Sequence, residues 1–330
     1  MRIAILGGGS WGTALAHVFA LKEHDVTMLV RSDVTADEIR VFHTNEKYLP
    51  GCRVHPSVKA TVDPEEALPG ASLVVLAVPC QHLRKFVRDI VRFLSVGSSL
   101  VCASKGMEIG SHALMSQVIA EEVPSFTAGY GILSGPSFAR EVMDSLPTAV
   151  VLGCKDRDLA ERLRQELASP MFRVYSSPDV VGVECGGALK NVMALAAGIA
   201  DGLGFGHNSR AALITRGLAE MSRLGVALGG EAATFMGLSG MGDLVLTATG
   251  SLSRNRQVGL RIGQGEPLAD IAASMHHVAE GVPTAKAAYD LAQTWNIDMP
   301  ITRTMQAVCY GLTDPKTAVR DLMGRALREE

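Results

Sequence analysis

The stretch Ile3-Ala4-Ile5-Leu6-Gly7-Gly8-Gly9-Ser10-Trp11-Gly12-Thr13-Ala14 decides the fold. Ile3 to Leu6 is apolar at every position, as a strand buried on both faces should be. It runs directly into glycines at 7, 9 and 12, a G-x-G-x-x-G pattern, and Ser10 to Leu21 continues with helical spacing. Taken alone, the pattern also describes a glycine-rich turn. Set between a strand and a helix, it is the arrangement that holds a dinucleotide. The glycines permit the tight turn, the close approach of a pyrophosphate and the packing of helix on strand, while the helix start offers N–H groups and partial positive charge. Gly7, Gly9, Ser10, Trp11 and Gly12 are the cofactor candidates here.

The same texture continues outward. Val26 to Val30 reads as a second strand, Leu73 to Val78 (LVVLAV) as a central parallel one, and Gln81 to Leu94 as an amphipathic helix. Strand candidates at 99–102, 131–133 and 148–152 alternate with helix candidates at 112–121 and 158–167. Such alternation implies an α/β fold with a doubly wound parallel sheet of Rossmann type. Beyond about Pro178 strand-like runs nearly vanish. Segments 180–202, 209–228, 254–263, 267–274 and 283–295 are Ala-, Leu- and Met-rich with helical periodicity. The reading is a dinucleotide-binding domain over 1–179 and an all-helical domain over 180–330.

Composition agrees with two domains. The chain has 330 residues, 47% hydrophobic and 20% charged, which suits a folded core and excludes disorder over most of its length. Lys plus Arg is 31 against 34 Asp plus Glu, a formal net charge of -3. A general nucleic-acid or anionic-membrane binder would need a basic excess. Six scattered cysteines form no CxxC pair and read as buried thiols of a reducing compartment. The glycines near the N-terminus make a poor signal peptide, and no uninterrupted apolar run suggests a spanning helix. A cytoplasmic protein without membrane insertion is expected. No metal site is expected, because adjacent His276 and His277 point in different directions and no Cys/His/Asp cluster accompanies them.

Further blocks carry a resemblance. Phe42 to Pro50 (FHTNEKYLP), Ser104 to Gly106 (SKG), Leu133 to Ala139 (LSGPSFA) and Gly187 to Asp201 (GALKNVMALAAGIAD) join the glycine pattern. Gly240 to Leu244 (GMGDL), Ser253 to Gly259 (SRNRQVG), Val278 to Thr284 (VAEGVPT) and Leu322 to Arg325 (LMGR) follow in order. Together they resemble the bacterial NAD(P)-dependent glycerol-3-phosphate dehydrogenases nearly end to end. The resemblance implies a reversible reaction between dihydroxyacetone phosphate plus NAD(P)H and sn-glycerol 3-phosphate plus NAD(P)+, supplying glycerol 3-phosphate for phospholipid synthesis. It also implies a homodimer.

Hydride transfer to a ketone leaves an alkoxide that needs a proton donor and a positive field. Read from residues alone, Lys190, at the start of an apolar helical run, either snorkels to solvent or lines a site. The resemblance carries it over as the proton acceptor in glycerol phosphate oxidation. It carries Lys105, at the carboxyl end of a strand, over as a contact of both substrate and cofactor. A second cation near Lys190 would depress its pKa. Asp243, in a glycine-flanked loop, is implied to hydrogen-bond the substrate or to orient Lys190.

The phosphate needs a local receptor in so acidic a chain. Ser253, Arg254 and Asn255 sit at a helix start where hydroxyl, guanidinium and amide groups converge, a good anion site. The resemblance assigns them to the substrate phosphate, and Arg254 to the cofactor as well. By the same resemblance Gly135 and Ser137 border the substrate and Ala139 the cofactor. Val278 and Glu280 reach the nicotinamide side, and Tyr48 belongs to a cofactor-side loop. Arg31 stands at the end of the second strand, where an acidic residue would favour NAD, and can face a 2′-phosphate. Cofactor preference stays open. Two other readings also stay open, a lysine-dependent hydroxyacid dehydrogenase of the 6-phosphogluconate or 3-hydroxyisobutyrate type and a non-catalytic NAD(P)H sensor.

Overall fold

The computed structural model describes residues 1–123, 129–275 and 279–324. Its strands are β1 (Arg2–Leu6), β2 (Asp25–Leu29), β3 (Lys59–Thr61), β4 (Leu73–Leu76), β5 (Ser99–Cys102), β6 (Gly129–Ser134), β7 (Thr148–Gly153) and β8 (Phe172–Ser177). They form one eight-stranded sheet in the order β3-β2-β1-β4-β5-β6-β7-β8. β1 is parallel to both neighbours, and the order in which strands are added reverses there, the switch point at which such sheets bind ligands.

Alternation along the strands shows why helices cover both faces. Ile3, Ile5, Leu73 and Val75 join one buried cluster, whereas Ala4, Leu6, Val74 and Leu76 join another on the opposite face. The Ser10–Leu21 helix lies as the periodicity implies, and Cys80–Ile90 is followed by a short 3-10 turn, Val91–Phe93. The helix expected from His112 begins at Met115 instead, because His112 adopts φ +58°, outside the right-handed helical region.

The sheet departs from all-parallel at one pair. β6 and β7 run antiparallel, while β7 and β8 are parallel again. The link between β6 and β7 contains only the short Ala139–Met143 helix, too little chain for a crossover back to the starting edge. It starts at Gly135, with φ +131°, where a Cβ would lie 3.0 Å from the Val150 Cα. Neither the short β3 nor the edge strand β8, whose first four residues alternate between buried and exposed, was expected from the sequence.

By contact the chain forms two compact units, residues 1–105 with 113–184, and 106–112 with 185–330. From hydrophobic pattern alone the change of texture falls near residue 179. The Val180–Gly202 helix, which carries Lys190, begins there, and the division by contact at 184/185 falls inside it. It is long and apolar enough to cross a membrane, but 94% of its most apolar window is buried inside the protein, as in a core helix.

In the second unit, helices approach this one at backbone contact. A Cβ on Gly198 would meet the Arg256 carbonyl oxygen at 2.1 Å, and one on Gly259 the Leu195 carbonyl oxygen at 2.2 Å. Gly202 and Gly263 are as tightly placed, at 2.3 Å from the Leu260 oxygen and 2.4 Å from the Ile199 oxygen. The Arg254–Gly263 helix thus lies against the lysine helix with no side chain as spacer.

Candidate active site

In the first unit the glycine turn is built by contacts no other residue allows. Gly7 has φ +122°, and a Cβ there would stand 2.5 Å from the Ala77 carbonyl oxygen. A Cβ on Gly12 would stand 2.1 Å from the Gly7 carbonyl oxygen. Gly9 is different. A Cβ there would meet nothing within 4 Å, so its bareness is not demanded by the protein's own packing. It is the N-cap of the Ser10–Leu21 helix and has no side chain to cap the first N–H groups. A cradle of this kind, open beside a helix N-terminus, fits a pyrophosphate.

Asn45, which the sequence reading did not single out, fastens this turn. Its side-chain N–H groups donate to the Gly8 carbonyl at 2.9 Å and to Thr13 Oγ1 at 2.8 Å, while Thr13 donates to the Gly9 carbonyl at 2.9 Å. Of the remaining cofactor-side candidates in this unit, Arg31 is exposed after β2, and Tyr48 and Ala139 are half-buried. The Trp11 indole Nε1 is buried, with no hydrogen-bond partner among the described residues.

Lys105, Gly135 and Ser137 meet at one point. The Lys105 ammonium donates to the Gly135 carbonyl at 3.0 Å, and the Ser137 hydroxyl to the same oxygen at 2.9 Å. A strand-end lysine and a turn from two separate segments therefore converge at the carboxyl edge of β5 and β6.

In the second unit Lys190 lies in the middle of its helix rather than at its start, and it is 7% exposed. It does not snorkel. Its ammonium donates to Asp243 Oδ1 at 2.5 Å and to Thr247 Oγ1 at 2.8 Å. The neighbour described beside it is thus a carboxylate. Asp243 begins the Asp243–Thr249 helix rather than sitting in a loop, and it is fully buried. Thr247, one turn on, donates to the Asp243 carbonyl at 2.6 Å, which leaves its lone pairs for the ammonium. Two of the three ammonium donors are thereby held in fixed directions.

The phosphate candidates form a capped helix start. Ser253 is the N-cap and accepts from the Arg256 N–H at 3.2 Å, and the Arg254–Gly263 helix follows. Asn255 donates to Asn191 Oδ1 at 2.9 Å and accepts from the Gly281 N–H at 2.9 Å; Asn191 donates in turn to the Gly187 carbonyl at 3.3 Å. This buried ladder ties the first turn to the residue beside Lys190. Thr247 and Asn191 were missed from sequence, since nothing in a lone Thr or Asn marks such a contact. Glu280, half-buried, is the N-cap of the Gly281–Thr294 helix. Val278, His276 and His277 lie outside the described residues. Among the described residues no group of three or more His, Cys, Asp or Glu could hold a metal.

Comparison with known proteins completes the picture. Residues 2–160 match the family model of the NAD-dependent glycerol-3-phosphate dehydrogenase N-terminus, and residues 179–320 that of its C-terminus. The chain belongs to this family. A glycerol-3-phosphate dehydrogenase (NAD(P)+) of Oleidesulfovibrio alaskensis is 56% identical over the whole of both chains. That of Geobacter sulfurreducens is 49% identical over 100% of this chain and 98% of its own. The crystal structure of glycerol-3-phosphate dehydrogenase from Coxiella burnetii is 38% identical, with a TM-score of 0.93 over 98% of each chain. The chain therefore has this dehydrogenase family's fold, an N-terminal Rossmann-type domain followed by a helical one, and is an NAD(P)-dependent oxidoreductase.

Proposed function

We propose that the protein interconverts dihydroxyacetone phosphate plus NAD(P)H and sn-glycerol 3-phosphate plus NAD(P)+, with Lys190 exchanging the proton. The observation that carries the assignment of Lys190 is its burial in bonding contact with Asp243 and Thr247, on a helix whose other buried residues are nearly all apolar. Burying a lysine, even against a carboxylate, carries a desolvation cost that apolar packing would avoid, which supports a role beyond packing.

When bound in the glycine cradle, the nicotinamide coenzyme would supply the hydride for the carbonyl carbon, or take it up in the reverse direction. As the ketone oxygen becomes an alkoxide, the Lys190 ammonium gives it a proton and is left as the neutral amine, which solvent recharges. Asp243 aims the ammonium, and Thr247 holds its second N–H. Lys105 adds positive charge near the substrate, with Gly135 and Ser137 at its border. Ser253, Arg254 and Asn255 bind the phosphate with hydroxyl, guanidinium and helix N–H groups.

On the cofactor side Gly7, Gly9, Ser10, Trp11 and Gly12 cradle the pyrophosphate, and Arg31 faces the adenosine ribose. Tyr48, Ala139, Lys105, Arg254, Val278 and Glu280 complete the contacts. The proposal extends to a cytoplasmic homodimer feeding phospholipid synthesis.

The test follows NADPH and NADH oxidation with dihydroxyacetone phosphate, with unphosphorylated dihydroxyacetone, and with the Lys190→Ala protein. Fast oxidation with the phosphorylated ketone alone, lost in the variant, is the expected result. The faster coenzyme reports what Arg31 does. A folded, cofactor-binding protein that oxidises neither coenzyme would sink the proposal and favour the sensor reading.

A further inference from the structure

Asp201 is the last charged residue of the lysine helix, and the reaction as described makes no use of it. Its carboxylate side chain is 7% exposed, and each oxygen is held by an arginine from a different helix. Arg210, on the His207–Ala227 helix, donates through Nε at 3.1 Å and Nη2 at 2.5 Å to Oδ1. Arg256, on the Arg254–Gly263 helix, donates through Nε at 2.9 Å to Oδ2, with Nη2 at 2.7 Å from the same oxygen. A carboxylate this buried, with both oxygens filled by guanidinium groups, holds its partners in fixed orientation.

Arg256 lies two residues past Arg254, in the turn capped by Ser253. That turn is therefore tied to the lysine helix twice. Asn255 is bonded to Asn191, beside Lys190, and Arg256 to Asp201, about 15 Å farther along at the helical rise. On the lysine helix, between the two tied residues, Gly198 meets the Arg256 backbone directly, and Gly259 meets the Leu195 backbone just beyond the ties on its own helix. One tie would act as a pivot. Two ties with no compressible side chain between them stop the helix start from turning or sliding. Contacts from a helix terminus are directional, so a small rotation there would misaim hydroxyl, guanidinium and N–H groups together.

We propose that Asp201 is a positioning residue for phosphate recognition. Acting through Arg256, it sets where Ser253, Arg254 and Asn255 stand relative to Lys190. The inference rests on the functional reading above.

The test measures steady-state kinetics of full-length wild type, Asp201→Asn and Arg256→Gln with dihydroxyacetone phosphate and with unphosphorylated dihydroxyacetone. NADPH titration and thermal melting accompany each protein. In both variants the KM for the phosphorylated ketone should rise about 10- to 100-fold, while its kcat stays within about threefold. The rate on the unphosphorylated ketone and the affinity for NADPH should not change. The double variant should lose little beyond either single one, because both act through one contact.

If Asp201→Asn fails to fold, Arg256→Gln decides, since it leaves Arg210 on the carboxylate. Folded variants with wild-type KM for the phosphorylated ketone overturn the inference. So does a parallel loss on both ketones that tracks the folded fraction. A wild type inactive on the phosphorylated ketone overturns the functional reading, and this inference with it. An active wild type with unaffected variants overturns the inference alone.

Discussion

The two units present their candidate groups by opposite means. In the first, the backbone leads. Gly7 and Gly12 shape a turn by having no side chain, Gly9 leaves its space open, and Lys105 and Ser137 both point at a main-chain carbonyl. In the second, side chains from separate helices lead, with Lys190, Asp243 and Thr247 bonded to one another and Asn191 to Asn255. The difference teaches where damage shows. A backbone cradle fails when something is added to it, and a side-chain network fails when something is removed.

The largest effect should come from removal in the second unit. Lys190→Ala should lower kcat by at least about 100-fold, the scale of a lost acid–base group, while NADPH binding measured by fluorescence titration stays intact. Release of the cofactor by this change would break the division between the units.

Addition to the first unit comes next. Gly12→Ala places a methyl 2.1 Å from the Gly7 oxygen, and Gly9→Ala places one in open space. Gly12→Ala should cost about 1–3 kcal/mol of stability along with cofactor affinity. Gly9→Ala should leave stability within about 0.5 kcal/mol yet weaken NAD(P)H binding. Denaturant unfolding and cofactor titration on the two proteins separate packing from ligand space. Equal loss of stability in both would show that Gly9 also serves packing.

Arg254→Ala should cost about 1.5–3 kcal/mol in binding of the phosphorylated ketone, read as KM, through loss of a charged hydrogen bond. At saturating coenzyme, unphosphorylated dihydroxyacetone should sense the change far less.

The most gradual effect is a pH slope that each unit carries in one buried glutamate. Burial pushes the Glu184 carboxyl up to about 7, against hydrogen bonds from Ser116 and Tyr130. It pushes Glu220 up to about 7 as well, against the Ile301 and Thr302 donors. The ordinary value is 4.5. Between 4.5 and about 7 the folded protein keeps a proton that the unfolded chain has lost. Stability therefore falls as pH rises through that window and levels off above it, with a slope of at most about 1.4 kcal/mol per pH unit for each group. Glu220→Gln should flatten part of this slope in urea unfolding across the window. An unchanged slope would mean that Glu220 stays ionised throughout.

Legibility in the sequence follows the same division. The turn at Gly7 to Gly12 could be read because a backbone need leaves a local signature, glycine at fixed spacing between a strand and a helix. The Ser253 cap was visible for the same reason. Asp243 was read as a loop residue because its glycine neighbours suggested one, whereas the chain passes through Leu238–Gly242 directly into a helix. Thr247, Asn191 and Asn45 left no trace, since each acts across a gap in sequence: 57 residues for Lys190 to Thr247, 64 for Asn191 to Asn255 and 37 for Asn45 to Gly8.

By itself the sequence determined the alternation of strands and helices, the change to an all-helical second half, the dinucleotide turn and the residue types available for chemistry. These depend on hydrophobic period and on backbone conformations that only certain residues adopt. Tertiary structure alone decided that β7 turns antiparallel, that Lys190 is buried mid-helix against a carboxylate, and that Asp201 joins three helices through two arginines. Those outcomes depend on which distant surfaces come within bonding distance, and a linear pattern holds no record of distance.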